Sequence, residues 1–242
     1  MLKALLENRE SVLAWEEIKS NKKYYCPECN DTVYLRKCIK KIDHFAHKKS
    51  SNCSHGSGET FQHLRMKENV YKLINDRLAN MKGYIDHGLE KRLIPERIAD
   101  VFANFENGKL VFECQHSPIS SEDLFKRTAD YIRNGIYVIW IFHISRTKRT
   151  DFYEKVGKVV IPEEMLCQSR IIMSYRTIYV MDDLGNLRSC YFSENSYKTN
   201  KGYVYFNKIN FTDMCKESIK SIRVGINFFG GNEAFSERLY SI

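Results

Sequence analysis

Five cysteine and histidine side chains in the first quarter of the chain have the types and spacing of metal ligands. They are Cys26 and Cys29, which are separated by two residues, followed by His44, His47 and Cys53. Two thiolates at this spacing hold one zinc ion from a tight turn, and a later segment completes the tetrahedron. We interpret Cys26 and Cys29 as ligands and favour His47 and Cys53 as the other two, with His44 and His47 together as a close alternative. Because enough donors are at hand to saturate the ion, the zinc would be structural.

A second candidate site comes from carboxylates on two adjacent strands. Asn107-Gly108 lies between two apolar runs and predicts a two-residue hairpin turn that places Asp100 opposite Gln115. Glu113, two residues along the same strand, shares the face of Gln115. Two carboxylates held this close repel each other unless a cation lies between them, and oxygen ligands suit Mg²⁺ or Mn²⁺. We therefore predict a catalytic Mg²⁺ or Mn²⁺ held by Asp100 and Glu113, with Gln115 positioning the water that attacks a phosphodiester.

Two helices supply further polar side chains at a spacing of four residues. Glu59, His63 and Lys67 recur on one face of the helix that precedes the strands. Glu59 would complete the metal sphere, directly or through water, while His63 and Lys67 would contact the scissile phosphate or shuttle a proton. Arg127 and Tyr131, on the next helix, would hold the DNA backbone or order the glutamine. Arg127, Tyr131 and Lys67 are therefore the candidate DNA contacts.

Local patterns predict the order helix, three strands, helix and strand for the middle of the chain. Ser57 is the expected cap of the first helix and Ser120 that of the second, which ends before Gly135. The expected ranges are 59–80 for the first helix, and 84–93, 97–105, 109–116 and 136–142 for the strands. The middle of the chain thus alternates helical and strand patterns in the manner of an α/β protein.

The ends of the chain are expected to form separate parts. The first 25 residues fit either a helix or a short hairpin around residues 8–10. Beyond the core, a hairpin over 176–192, closed by Asp183-Leu-Gly-Asn, and a strand over 202–211 predict a β-rich extension. The predicted division is a zinc module at 1–57, a core at 58–145 and an extension at 146–242.

Composition and charge narrow the class of protein. The composition is that of a globular protein, which excludes the disordered and fibrous classes. Lys and Arg number 38 against 30 Asp and Glu, a net charge of +8. The excess lies before residue 59 and after residue 144, around a neutral middle, and this suits a protein that holds a polyanion such as DNA. The longest apolar run, 136–142, is far below the roughly 20 residues of a membrane-spanning helix. With no secretory signal evident, we expect a cytoplasmic protein with no membrane partner.

In chain order, these motifs resemble those of the CoiA-like competence protein family, within the PD-(D/E)XK nuclease superfamily. The resemblance covers about residues 20 to 145 and rests on Cys26-Pro-Glu-Cys29, His44-Phe-Ala-His47, Glu59-x3-His63-x3-Lys67, Arg97-Ile-Ala-Asp100-Val, Glu113-Cys-Gln115-His-Ser117 and Arg127-x3-Tyr131. It implies a restriction-endonuclease-like αβββαβ core with a small N-terminal zinc-binding module, to which the strand patterns after residue 145 add a β-rich C-terminal extension. It also implies Asp100 and Glu113 as metal ligands and Glu59 as the helix carboxylate. Gln115 replaces the usual lysine, and Lys67 is the candidate for the missing ammonium.

The resemblance and the candidate site together predict a metal-dependent DNA nuclease that acts in DNA processing, recombination or defence against foreign DNA. Two alternatives stay open. One is a non-catalytic DNA-binding recombination or competence factor on a degenerate nuclease fold, since Glu-x-Gln lacks the positive charge of Glu-x-Lys. The other is a nuclease subunit of an anti-phage complex, which would add a recombination or defence protein to DNA as a partner.

Overall fold

The computed structural model describes residues 1–39, 41–106, 108–146, 159–162, 177–192, 196–198, 203–206 and 209–213. Helices and strands alternate through the middle of the chain, which confirms the predicted mixed α/β class. The described strands form three sheets of five, three and seven strands.

The N-terminal sheet consists of five short antiparallel strands in the order β2-β1-β3-β4-β5. The strands are β1 (Lys3–Leu5), β2 (Ser11–Leu13), β3 (Tyr24–Tyr25), β4 (Thr32–Arg36) and β5 (His44–His47). Of the two expectations for the first residues, the hairpin is the one observed, and the Leu6 N–H donates to the Glu10 carbonyl across its turn (2.8 Å). Tyr24, Val33 and Phe45 pack into a small core of their own beneath this sheet.

The first helix, α1, spans Phe61–Arg77 and begins later than predicted. Thr60, and not Ser57, is its cap, because the Thr60 hydroxyl accepts the His63 N–H (3.2 Å). Ser57 belongs to a separate turn, in which its N–H donates to the Ser54 carbonyl (2.9 Å). Glu59 therefore precedes the helix and does not lie on its first turn.

Three antiparallel strands, a second helix and a parallel strand follow. These are β6 (Tyr84–Ile94), β7 (Arg97–Phe105), β8 (Gly108–Gln115), α2 (Ser121–Arg133) and β9 (Ile136–His143). Ser120 caps α2 as predicted, accepting the Asp123 N–H (2.9 Å). All eight residues of β9 are buried, as expected of a strand covered on both faces. The observed order of elements agrees with the predicted one.

The pairing of β7 with β8 differs from the prediction by two residues. Phe105 pairs with Gly108 and Val101 pairs with Phe112, so the numbers of paired residues sum to 213 and not to 215. The predicted turn at Asn107-Gly108 was wrong for Gly108, which lies in β8, while Asn107 is outside the described residues. Since side chains alternate with a period of two, a shift of two residues leaves each side chain on its predicted face.

The described residues after 146 add strands to two sheets. The strands are β10 (Val159–Pro162), β11 (Thr177–Met181), β12 (Leu187–Phe192), β13 (Ser196–Lys198), β14 (Tyr203–Phe206) and β15 (Ile209–Asp213). The predicted hairpin is confirmed as β11 and β12, and β11 runs parallel to β9. The predicted strand at 202–211 is two strands, because β14 joins the three-stranded sheet and β15 pairs with β12.

The large sheet has the order β15-β12-β11-β9-β8-β7-β6. Its core combines apolar residues of α1 with the buried faces of β6 to β9 and β11. Neither α1 nor α2, the α-helices of the described part of the chain, is long and apolar enough to cross a membrane.

Candidate functional site

Four of the five predicted zinc ligands come together in the N-terminal sheet. Cys26, Cys29, His47 and Cys53 each offer one ligand atom, and the four atoms lie within 4.8 Å of one another. A turn between β3 and β4 brings the first two cysteines together, and Cys29 Sγ lies 3.3 Å from His47 Nε2. Burial, followed by the neighbouring thiols of Cys53 and Cys26, raises the pKa of Cys29 to about 12. Three sulfurs and one imidazole nitrogen at these separations fit a tetrahedral zinc ion.

His44 is not part of this cluster. His44 and His47 are three residues apart on β5, so their side chains point to opposite faces of the strand. The His44 Nδ1 atom lies instead 3.0 Å from the Ile42 carbonyl oxygen. The structure thus brings together the favoured set with His47 and Cys53, and the alternative that pairs both histidines was wrong.

Asp100 on β7 and Glu113 on β8 lie side by side. Val101–Phe112 is the last hydrogen-bonded pair of β7 and β8 at this end. Continuing the same register by one position places Asp100 opposite Glu113. Asp100 Oδ2 accepts the backbone N–H of Cys114 (2.9 Å), which fixes the carboxylate against the neighbouring strand. The prediction that Asp100 faces Gln115 was therefore wrong, but the two carboxylates are brought closer together than that register allowed.

Glu113 is the buried member of this carboxylate pair, at 4% exposure. The Tyr131 hydroxyl donates to Glu113 Oε1 (2.6 Å), and Arg127 Nη1 lies 3.9 Å from Oε2. Burial, followed by the charge of Asp100, raises the pKa of Glu113 to about 8. An acid this reluctant to ionise beside a second carboxylate fits a divalent cation, whose charge would replace the proton.

Tyr131 and Arg127 both contact Glu113, but only Arg127 is exposed enough to contact DNA. Tyr131 is fully buried, so the prediction that it contacts DNA was wrong, and its hydroxyl holds Glu113 instead. Arg127 is 42% exposed and stays a candidate DNA contact.

His63 lies between two carboxylates. Its Nε2 is 3.1 Å from Asp100 Oδ2, and its Nδ1 is 3.6 Å from Glu59 Oε1. Burial opposes the charged imidazole, but Asp100 and Glu59 outweigh that effect and raise the pKa of His63 above its ordinary value. The same ion pair helps to hold the pKa of Asp100 below its ordinary value, against the effect of burial. With 24% of its side chain exposed, His63 lies at the edge of the carboxylate site, where the neighbouring carboxylates favour its protonated form.

Lys67 is buried away from any nucleic acid. Its side chain is 2% exposed, and its ammonium donates to Glu59 Oε1 and to Glu90 Oε1 (2.5 Å). The prediction that Lys67 contacts phosphate or DNA was therefore wrong. Glu59 faces Lys67 and is separated from Asp100 by His63, and although burial opposes its charge, Lys67 keeps the pKa of Glu59 at about 2.

Glu90 on β6 was missed by the sequence reasoning. It is 2% exposed, has a positive φ of 47°, and accepts the backbone N–H groups of Leu2 (2.9 Å) and Lys3 (3.1 Å). The pairs Leu89–Val101 and Lys91–Ala99 place Glu90 opposite Asp100. This register follows an irregularity in the pairing between Arg92 and Ile94, which could not be foreseen from the sequence, and it puts a third carboxylate in the row formed by Asp100 and Glu113.

Gln115 and His116 end β8 in different surroundings from those predicted. The Gln115 amide donates to the Ser117 carbonyl (2.5 Å) and does not lie opposite Asp100. His116, which the prediction passed over, has its Nδ1 3.2 Å from the Thr60 hydroxyl. Because Thr60 caps the helix that carries His63, this contact links the end of β8 to the start of α1.

Residues 59–218 match the model of a nuclease-like domain, and residues 8–56 match an N-terminal domain. Both models describe competence protein CoiA, and since the first covers more than half of the chain, the protein belongs to the competence protein CoiA family. The chain is similar to the competence protein CoiA of Bacillus subtilis (strain 168), with 30% identity over 138 residues. That match covers 55% of this chain and 35% of the relative, so the chain spans about a third of the relative's length. No solved structure matches the chain.

Proposed function

We propose that the protein is a Mg²⁺- or Mn²⁺-dependent DNA nuclease with a restriction-endonuclease-like core. The observation that carries the proposal is the carboxylate pair, in which Glu113, with a pKa of about 8, is buried directly beside Asp100. The order of elements and the match to a nuclease-like domain support it. The description of the family as a competence protein supports a role in competence.

In this proposal, Asp100 and Glu113 would hold the divalent ion, and the ion would supply charge that lowers the pKa of a bound water and offsets the charge of the phosphate. The chain's own residues prepare the ligands. Tyr131 donates to one oxygen of Glu113, and the Cys114 N–H fixes one oxygen of Asp100, so each carboxylate keeps an oxygen for the ion. The zinc held by the Cys/His cluster would have a structural role only.

We assign to His63 the role that the lysine has in the commoner Glu-x-Lys motif. His63 is partly exposed and 3.1 Å from Asp100, whereas Lys67 is enclosed by two carboxylates. In this role His63 contacts the scissile phosphate and gives a proton to the leaving oxygen. Asp100 and Glu59, on opposite sides of the ring, both favour the protonated imidazole.

One observation favours a second candidate, a non-catalytic DNA-binding factor on the same fold. Gln115 occupies the lysine position of the motif, and its amide is bonded to the Ser117 carbonyl. A protein that binds DNA without cutting it has no need of a cation at that point.

A cleavage assay on single- and double-stranded DNA with Mg²⁺ or Mn²⁺ separates the two candidates. Asp100→Asn and Glu113→Gln should each lower the cleavage rate by about a hundredfold or more while leaving DNA binding intact. The matched control is Asp76→Asn, which changes an exposed carboxylate at the far end of α1 and should cleave like the parent protein. If the parent protein leaves both DNA forms intact with either ion, the second candidate is correct.

A further inference from the structure

A cavity of about 300 Å³ lies where the N-terminal sheet meets the start of α1. Its walls come from β4, from β5 and the residues before it, and from the segment that leads into the helix. The apolar residues that line it include Ile42, Phe61 and Leu64. Basic and polar groups line it as well, from Arg36, Lys41 and His44.

The basic groups of the cavity are free to take a ligand. The Arg36 guanidinium and the Lys41 ammonium have no hydrogen-bond or ion-pair partner among the described residues. By contrast, Lys37 on the same hairpin pairs with Asp43 at 2.7 Å. Two unpaired cations at one cavity attract an anion, and a phosphate is the anion that Arg and Lys most commonly bind.

The apolar residues that line the cavity favour a ligand with an apolar group in addition to a phosphate. Phe61 presents an aromatic ring at the cavity, and Arg65 already stacks on that ring, with 4.8 Å between the guanidinium carbon and the ring centre. Aromatic rings and Arg planes are the surfaces on which unpaired bases stack. His44, whose Nδ1 is engaged by the Ile42 carbonyl, keeps its Nε2 for a base or sugar hydroxyl. A ligand in which a phosphate is joined to a flat, partly apolar group can contact both the basic and the apolar residues of the cavity.

The cavity is next to the carboxylate site. Glu59 lines it, and the same side chain contacts His63, which lies 3.1 Å from Asp100. A strand held in the cavity would therefore continue toward the paired carboxylates. The negative charge of Glu59 repels an anion in the cavity only weakly, because Lys67 and His63 both face Oε1 of its carboxylate.

We propose that this cavity binds one nucleotide of a single DNA strand, with its phosphate on Arg36 and Lys41 and its base against Phe61. The inference rests on the proposed nuclease function and adds a substrate preference to it. A base can enter this cavity only when it is unpaired and unstacked, so single-stranded or frayed DNA is the preferred substrate.

The test is fluorescence anisotropy of the full chain with a labelled single-stranded oligonucleotide of about 12 nucleotides and with the matching duplex, without added divalent ions. The double variant Arg36→Ala/Lys41→Ala should bind the single strand about tenfold more weakly, and the slope of log affinity against log salt should fall by about 1 to 1.5. Ala46→Phe, which fills the cavity without changing charge, should weaken single-strand binding and leave duplex binding unchanged.

The matched control is Lys19→Ala/Lys23→Ala, which removes two exposed lysines of the same N-terminal region that do not line the cavity. Equal losses in the two double variants, or single-strand binding by Ala46→Phe equal to that of the parent, would overturn the proposal in favour of general charge attraction. Competition by free dAMP as effective as that by the oligonucleotide would overturn it in favour of a mononucleotide site. Zinc content and circular dichroism verify that each variant is folded.

Because binding is measured without cleavage, this result is independent of the nuclease test. Asp100→Asn should bind the single strand as the parent does whether or not the parent cleaves it. If the parent protein binds the single strand through the cavity but cleaves no DNA with either ion, the nuclease proposal alone is contradicted.

Discussion

Replacing Glu113 by Gln should stabilise the metal-free protein, and the gain should grow with pH. Glu113 holds its proton up to a pH of about 8 in the folded state, against 4.5 ordinarily. Between these values the unfolded chain loses a proton that the folded chain keeps, so the free energy of unfolding falls as pH rises. At about 1.4 kcal/mol per pH unit, the cost reaches about 3 kcal/mol at pH 7. A neutral amide avoids this cost and still accepts the Tyr131 O–H.

The measurement is urea unfolding of the parent and Glu113→Gln between pH 5 and pH 8 in buffer without divalent ions. The two proteins should be nearly equal in stability at pH 5, and the variant should lead by roughly 3 kcal/mol or more at pH 8. Glu96→Gln, at an exposed glutamate between β6 and β7, is the control and should follow the parent. Parallel stability curves for the parent and Glu113→Gln would show that Glu113 is ionised in the folded state and would refute the reasoning. Added Mg²⁺ should stabilise the parent and Glu96→Gln but not Glu113→Gln.

Three further changes test other parts of the site. Cys53→Ser should lose the bound zinc while His44→Ala keeps about one zinc per chain by metal analysis, and equal zinc in both would contradict the assigned ligands. Lys67→Met should cost about 3 to 5 kcal/mol in urea unfolding, because two buried carboxylates lose their cation, and a loss below about 1 kcal/mol would contradict that ion-pair network. Tyr131→Phe should raise the pKa of Glu113 by about one unit through loss of a hydrogen bond, so the acidic limb of the cleavage pH profile should move upward, and an unmoved limb would count against it.

Local patterns predicted the elements well, because caps and periodicity are properties of neighbouring residues. Ser120 begins α2 as expected, and the run starting at Ile136 is the buried strand β9. The hairpin register was wrong by two residues, since Asn107-Gly108 was taken as the whole turn. The error moved Asp100 from Gln115 to Glu113 and left both on one face, because an even shift preserves alternation.

The features that could not be predicted from the sequence depend on contacts between residues far apart in the chain. Lys67 has the spacing of a surface residue on α1, and its burial depends on Glu90, 23 positions away. Tyr131 is buried only because α2 packs over Glu113. The choice between Cys53 and His44 as the partner of His47 could have been made from the sequence, had residues 44–47 been interpreted as a strand with alternating faces.

The side chain of Glu90 also limits how this protein can be divided. Its carboxylate binds the amides of Leu2 and Lys3, some 88 positions earlier in the chain, and neutralises Lys67 in the helix. A fragment that starts at residue 58 would lose both amide donors and leave this acid short of partners in the interior. A chimera of two family members should therefore fold only when the first residues of the chain and the glutamate of β6 come from the same parent.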